Sequence, residues 1–89
     1  MGRWVTSPSY RATVQVFVEA RQTAGLTQRD LAARIGRTHS VIANIERGER
    51  QVDIVEFIAI ARALEIDELE LMRRVVAAVG SKIAARQSG

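Results

Sequence analysis

The sequence predicts an all-α fold, a compact bundle of five helices in which the last helix is extended. Hydrophobic residues make up 47% of the 89 residues but aromatic residues only 4%, so the core should be aliphatic. The chain has a single proline, and its apolar residues recur at helical spacing rather than in alternation. Each expected helix also follows a Ser, Thr or Asp that can cap its first turn. Together these observations favour helices over a sheet.

The first helix is expected to start at Ser7-Pro8, because Ser is a preferred N-cap residue and proline fits the first helical position. It should run to about Ala24, since Gly25 can adopt the conformation that ends a helix. Residues 1–6 precede this start and are predicted to be a flexible tail.

Two short helices follow. Thr27 and Asp30 form a capping-box pattern that opens the second helix, and Gly36 ends that helix. Thr38 is expected to cap the third helix, which ends at Gly48. Because so few residues separate the two helices, we expect them to cross at a steep angle.

The fourth and fifth helices begin at two further capping boxes, Asp53 with Glu56 and Asp67 with Glu70. Apolar residues in the fifth helix step by three and four, which is typical of a heptad seam. We expect this seam to form a dimer or partner surface consisting of Leu69, Met72, Val76, Val79 and Ile83. The predicted organisation is a tail at 1–6, a domain at 7–66 and a C-terminal dimerisation helix at 67–86.

Charge is unevenly placed along the chain. Residues 1–50 carry eight basic and four acidic side chains, whereas residues 51–89 carry five basic and six acidic ones. A basic half suggests a polyanionic partner. The chain has no cysteine and only one histidine, so we expect no disulfide, no metal site and no cofactor. No enzyme motif, membrane span or secretory signal is visible, and we expect a non-enzymatic, soluble, cytoplasmic protein.

Three segments, in order along the chain, resemble the Cro/repressor-type (XRE-like) helix-turn-helix family. They are RQTAGLTQRDLA at 21–32, IANIERGER at 42–50 and ARALEIDEL at 61–69. The resemblance covers a little over half of the chain. It implies a bacterial or phage regulator that binds double-stranded DNA sequence-specifically in the nucleoid, with its third helix in the major groove.

Site residues follow from this resemblance. If Ile42 and Ile45 face the core, the exposed side of the third helix carries the expected base contacts, His39, Ser40, Ala43 and Asn44. The expected phosphate contacts flank that helix and are Thr27, Gln28, Arg37, Thr38, Arg47, Arg50 and Gln51. The resemblance also implies a largely buried, structural salt bridge between Arg21 and Glu46.

Surplus apolar residues indicate a covered surface. Val14, Val18, Val55 and Ala59 stand where the family usually has polar residues. Such a surface could be covered by Trp4-Val5 of the tail or by a partner. We favour a homodimer on a palindromic operator. The alternative is a protein-interaction adaptor, or an antitoxin, that uses the helix-turn-helix scaffold to bind a protein partner.

Overall fold

The structure, a computed structural model, describes the backbone of residues 7–88 and the side chains of residues 7–83. The predicted tail, with Trp4 and Val5, lies outside the described residues. Within residues 7–88 the chain forms helices and no strand, as the sequence predicts. The five helices are α1 Pro8–Thr23, α2 Gln28–Arg34, α3 His39–Glu46, α4 Ile54–Ala63 and α5 Glu68–Ser88.

Capping side chains explain where four of the helices begin. The side chains of Ser7, Thr27, Asp53 and Asp67 each accept a hydrogen bond from a backbone N–H two or three residues further on, at 2.7–3.1 Å. These bonds satisfy N–H groups that have no partner inside the helix. The helix starts predicted at these four positions are therefore confirmed.

Residues with positive φ end the first four helices. Gly25, Gly36 and Gly48 follow α1, α2 and α3 with φ of 75°, 69° and 75°. The same position after α4 is occupied by Glu65, with φ 59°. Glycine adopts this conformation without steric cost, whereas a residue with a Cβ atom does not. The turn after α4 is therefore strained where the other three are not.

The core is mainly aliphatic and draws on all five helices. Within it the rings of Phe17 and Phe57 meet edge to face, with centroids 5.9 Å apart. The side chains of Ile42, Ile60 and Leu71, from α3, α4 and α5, are almost completely buried. This packing joins the short α2–α3 pair to the longer helices and fixes the position of α3.

The face through which the fifth helix packs overlaps its heptad seam at one residue, Met72, which also packs against the core. Leu71 is fully buried and Val75 packs against the core, whereas Leu69 is 72% exposed. The helix continues through Gly80 without a break. None of the helices in the described part of the chain is long and apolar enough to cross a membrane.

Candidate nucleic-acid interface

The α2–α3 pair presents one side of α3 to solvent. A four-residue joint, 35–38, connects the two helices, and within it the Arg37 N–H donates to the Ala32 carbonyl at 2.9 Å. Ile42 and Ile45 are 1% and 2% exposed, so they anchor α3 in the core as expected. The other side of α3 is left free to contact a partner.

Three of the four expected base-contacting residues lie at the surface. Ser40 is exposed, and His39 and Asn44 are partly exposed. Ala43 is the exception, because it is only 7% exposed. Its side chain is a single methyl group. The sequence-based placement of Ala43 on the solvent side is therefore corrected.

Arg21 and Glu46 form an ion pair that ties α1 to α3. Arg21 Nε and Nη2 donate to the two Glu46 carboxylate oxygens at 2.7 and 3.0 Å, and Nη1 donates to the Leu26 carbonyl at 2.7 Å. The two side chains are only 12% and 8% exposed. A bidentate pair with this geometry holds α3 at a set position relative to α1.

Gln28 connects this ion pair to His39. Its side-chain amide nitrogen donates to Glu46 Oε1 at 2.8 Å, and its carbonyl oxygen lies 3.0 Å from His39 Nε2. The resemblance implies a DNA phosphate contact for Gln28, and that contact stays a prediction, because the amide nitrogen keeps a second N–H and the carbonyl oxygen a second lone pair. Sequence spacing gave no sign of these two contacts of Gln28, whose partners Glu46 and His39 lie 18 and 11 residues away.

A second carboxylate, Glu56, holds two of the expected phosphate-contacting arginines. Arg50 donates to both of its oxygens at 2.9 and 2.6 Å, and Arg37 donates to Oε2 at 2.8 Å. The Asp53 N–H also donates to Glu56 Oε1, which completes the α4 capping box. These hydrogen bonds, those of Arg50 foremost, lower the pKa of Glu56 from 4.5 to about 2 although burial opposes the change.

The Glu56 cluster, defined as Glu56 with Arg37 and Arg50, keeps one net positive charge. The two arginine side chains remain 38% and 33% exposed, so their outer nitrogens can reach solvent or an anion. Sequence reasoning identified Glu56 only as a cap. A signal for its burial was present, since Glu56 and the buried Ile60 share one face of α4 at a spacing of four residues.

Tyr10 braces the loop that carries Arg50. Its hydroxyl donates to the Arg50 carbonyl at 3.2 Å and accepts from the Val52 N–H at 2.9 Å. Burial raises the pKa of the Tyr10 hydroxyl, which stays protonated and able to donate. This contact was not expected from the sequence, and it connects α1 with the segment before α4.

The remaining expected phosphate contacts differ in how many hydrogen bonds their side chains make within the protein. Arg47 is 57% exposed, donates to Asn44 Oδ1 and lies 3.4 Å from Glu49. The Thr27 hydroxyl is used in the α2 cap. Thr38 stands at the N-cap position of α3 as predicted, but its side chain makes no cap hydrogen bond, and the Val41 N–H donates to the Thr38 carbonyl.

Two exposed positions complete this surface. Gln51, an expected phosphate contact, is exposed and follows Arg50 of the Glu56 cluster in the chain. Arg29, to which the sequence assigned no role, is exposed and lines a shallow depression with Arg21 and His39. The depression begins where α1, α2 and α3 meet, so Arg29 adds positive charge beside the start of α3.

Apolar side chains are exposed on α4 and α5. In the heptad seam Leu69, Val76 and Ile83 are 72%, 59% and 44% exposed, while Met72 and Val79 are half-buried. Exposed apolar residues on α4 are Ile54, Val55 and Ile58. Of the four surplus apolar residues, Val14 belongs to the core, Val18 and Ala59 are half-buried, and Val55 is exposed.

Known proteins share both the sequence pattern and the fold. The helix-turn-helix family model matches residues 18–71. The HTH-type transcriptional regulator y4dJ of Sinorhizobium fredii, itself uncharacterized, is 32% identical over 56 residues, which cover 63% of this chain and 73% of that protein.

Solved structures agree with this match. The XRE-family like protein from Pseudomonas syringae pv. tomato has a TM-score of 0.72 and 38% identity over 78% of this chain and 84% of its own. The restriction-modification controller protein C.Esp1396I, solved as a tetramer with its natural 35 base-pair operator, has a TM-score of 0.74 and 25% identity over 82% and 96% of the two chains. This chain therefore belongs to the XRE-type helix-turn-helix family.

Proposed function

We propose that this protein is a sequence-specific DNA-binding transcriptional regulator that inserts α3 into the major groove. The observation that carries the proposal is the arrangement of α3 itself. Its apolar face is locked into the core while Ser40 and Asn44 face outward, and arginines stand at both ends of the helix. The operator complex of C.Esp1396I supports the same use of the fold.

Base recognition falls to His39, Ser40 and Asn44 in this proposal. The Asn44 amide can both donate and accept, so it can pair with the N6 and N7 groups of adenine once Arg47 releases its oxygen. Ser40 hydrogen-bonds to several bases and discriminates little. Because Ala43 is buried, only these three residues are left to contact the bases of a half-site. The shape of the DNA therefore supplies part of the specificity.

Phosphate contacts come from both sides of the groove. The Glu56 cluster presents Arg37 and Arg50 in fixed orientations, which reduces the entropy lost on binding. Arg47, Gln51 and the free hydroxyl of Thr38 add further donors. Each neutralised phosphate should steepen the dependence of log affinity on log salt by about 0.9.

We further propose a homodimer that pairs through the seam on α5. Leu69, Val76 and Ile83 are large apolar side chains that a monomer leaves in water. In a dimer with a two-fold axis, the seam of each copy would cover the seam of the other, and the symmetry would match a palindromic operator. The same exposure would suit a different protein partner, and the oligomeric state distinguishes the two alternatives. A regulator of this kind acts on DNA in the cytoplasm.

Selection of bound duplexes from a random library tests the function. We expect an enriched motif with two inverted half-sites about 10 base pairs apart, and a dimer in sedimentation velocity. Failure to bind any duplex saturably, even at low salt, would contradict the DNA-binding proposal. A single half-site together with a monomer would contradict the dimer and leave the binding proposal standing.

A further inference from the structure

The carboxylate of Glu46 determines which way the Gln28 amide points. A carboxylate oxygen only accepts hydrogen bonds, so the Gln28 group 2.8 Å from Glu46 Oε1 has to be the NH₂. Glu46 is itself held by two hydrogen bonds from Arg21 and is nearly buried. Turning the amide over would place the Gln28 carbonyl against this carboxylate. The amide is therefore held in one orientation.

The oriented amide in turn determines the tautomer of His39. The Gln28 carbonyl oxygen lies 3.0 Å from His39 Nε2, and a carbonyl oxygen only accepts. Nε2 therefore carries the hydrogen. In a neutral imidazole the other nitrogen, Nδ1, is then an acceptor. Within the described residues Nδ1 makes no protein hydrogen bond, and His39 is partly exposed at the start of α3.

We propose that Glu46, acting through Gln28, presents His39 to DNA as a hydrogen-bond acceptor and so selects an exocyclic amino group. In the major groove only adenine N6 and cytosine N4 offer such a donor, whereas guanine N7 and O6 are acceptors. This inference rests on the proposed function and deepens it. Gln28 and Glu46 are positioning residues here, and His39 is the residue that contacts the base.

Nitrogen NMR of the free protein tests the tautomer without DNA. His39 is the single histidine of the chain, so every imidazole signal belongs to it. In alkaline buffer we expect the wild type to hold only the Nε2–H tautomer, and Gln28→Ala to show a measurable Nδ1–H population. Gln22→Ala is the matched control, because Gln22 is exposed and lines the same depression. Equal tautomer populations in the wild type and Gln28→Ala would overturn the proposal.

Base analogues in the selected operator test the contact itself. The position read by His39 is the one at which His39→Ala loses its base preference. There, removing the exocyclic amino group should weaken wild-type binding about three- to tenfold, the effect of one hydrogen bond, and should not weaken His39→Ala further. A 7-deaza purine should bind as well as the natural base.

Two results would overturn the inference. One is a 7-deaza penalty that disappears in His39→Ala, because His39 would then be donating to a purine N7. The other is the absence of any analogue effect that depends on His39. If the library yields no duplex, the proposed function fails, and the nitrogen spectra still decide whether Gln28 sets the tautomer.

Discussion

Replacing Glu56 with glutamine removes the negative charge that Arg37 and Arg50 share. The glutamine keeps nearly the same shape, and its carbonyl oxygen can still accept the Asp53 N–H of the capping box. The variant therefore tests the ion pairs while leaving the helix cap in place. Two guanidinium groups would then face a neutral amide in a position that is 8% exposed.

The lowered pKa of Glu56 gives the size of the ion pairs' contribution to the free energy of unfolding. If the whole difference between 4.5 and about 2 became folding free energy, it would supply about 3 kcal/mol. The arginine side chains are 38% and 33% exposed, and solvent screening lowers the expected contribution to about 1–2 kcal/mol. Because the folded-state pKa is lowered, this stability is present above about pH 5 and is lost as the pH falls from 4.5 toward 2.

Urea unfolding at neutral pH and at about pH 3 measures both effects. At neutral pH we expect Glu56→Gln to lower the free energy of unfolding by about 1–2 kcal/mol, and this gap should narrow by more than half by about pH 3. Glu49→Gln is the matched control: the Glu49 side chain is 61% exposed, and the loss of unfolding free energy should stay below about 0.5 kcal/mol. Equal losses in the two variants, or a gap that does not change with pH, would refute the reasoning.

Three further predictions concern the turn after α4, the seam and a phosphate contact. Glu65→Gly should raise the free energy of unfolding by about 0.5–1 kcal/mol, because Glu65 has φ 59°, and a lower Tm would contradict this. Val76→Asp should give monomers in sedimentation velocity. Its circular dichroism should not change, since Val76 is 59% exposed and the fold does not depend on it. A persisting dimer would exclude the seam as the dimer interface. Arg47→Ala should reduce the slope of log affinity against log salt by about 0.9. The control, Arg73→Ala, removes an exposed arginine from α5 and should leave that slope unchanged. Equal slopes in the two variants would exclude Arg47 as a phosphate contact.

Local signals predicted the helices well. A cap such as Asp53 and the N–H three residues beyond it are neighbours in the sequence, so the pattern contains both partners. The glycines that end α1, α2 and α3 are likewise local, because their positive φ depends on their own missing Cβ. The order of the five helices and the starts of four of them therefore followed from short windows of sequence.

The site could be predicted only in part, because its side chains pair over long distances in the chain. Gln28 and Glu46 are 18 residues apart, and Arg37 and Glu56 are 19 apart. Spacing predicts which residues share a helix face but not which arginine reaches which carboxylate. The hydrogen bonds of Gln28 with Glu46 and His39 were therefore not expected from the sequence.

For the fifth helix, the sequence predicted the helix but not the face that packs against the core. Apolar residues occur on more than one of its faces, so the heptad pattern did not reveal which face packs inward. The structure buries Leu71 and packs Val75 against the core, leaving Leu69 and Val76 in solvent. Burial depends on where α1 and α4 lie, which periodicity within α5 does not contain.

Titration of Asn44→Ala against two duplexes tests the central claim most directly. One duplex carries the selected operator and the other a scrambled sequence. We predict that the variant loses about 1–3 kcal/mol on the operator and almost nothing on the scrambled duplex, because Asn44 reads bases and not phosphates. Gln15→Ala, an exposed amide on α1, should bind both duplexes like the wild type. If Asn44→Ala keeps full preference for the operator, or weakens both duplexes equally, α3 does not read the sequence as proposed.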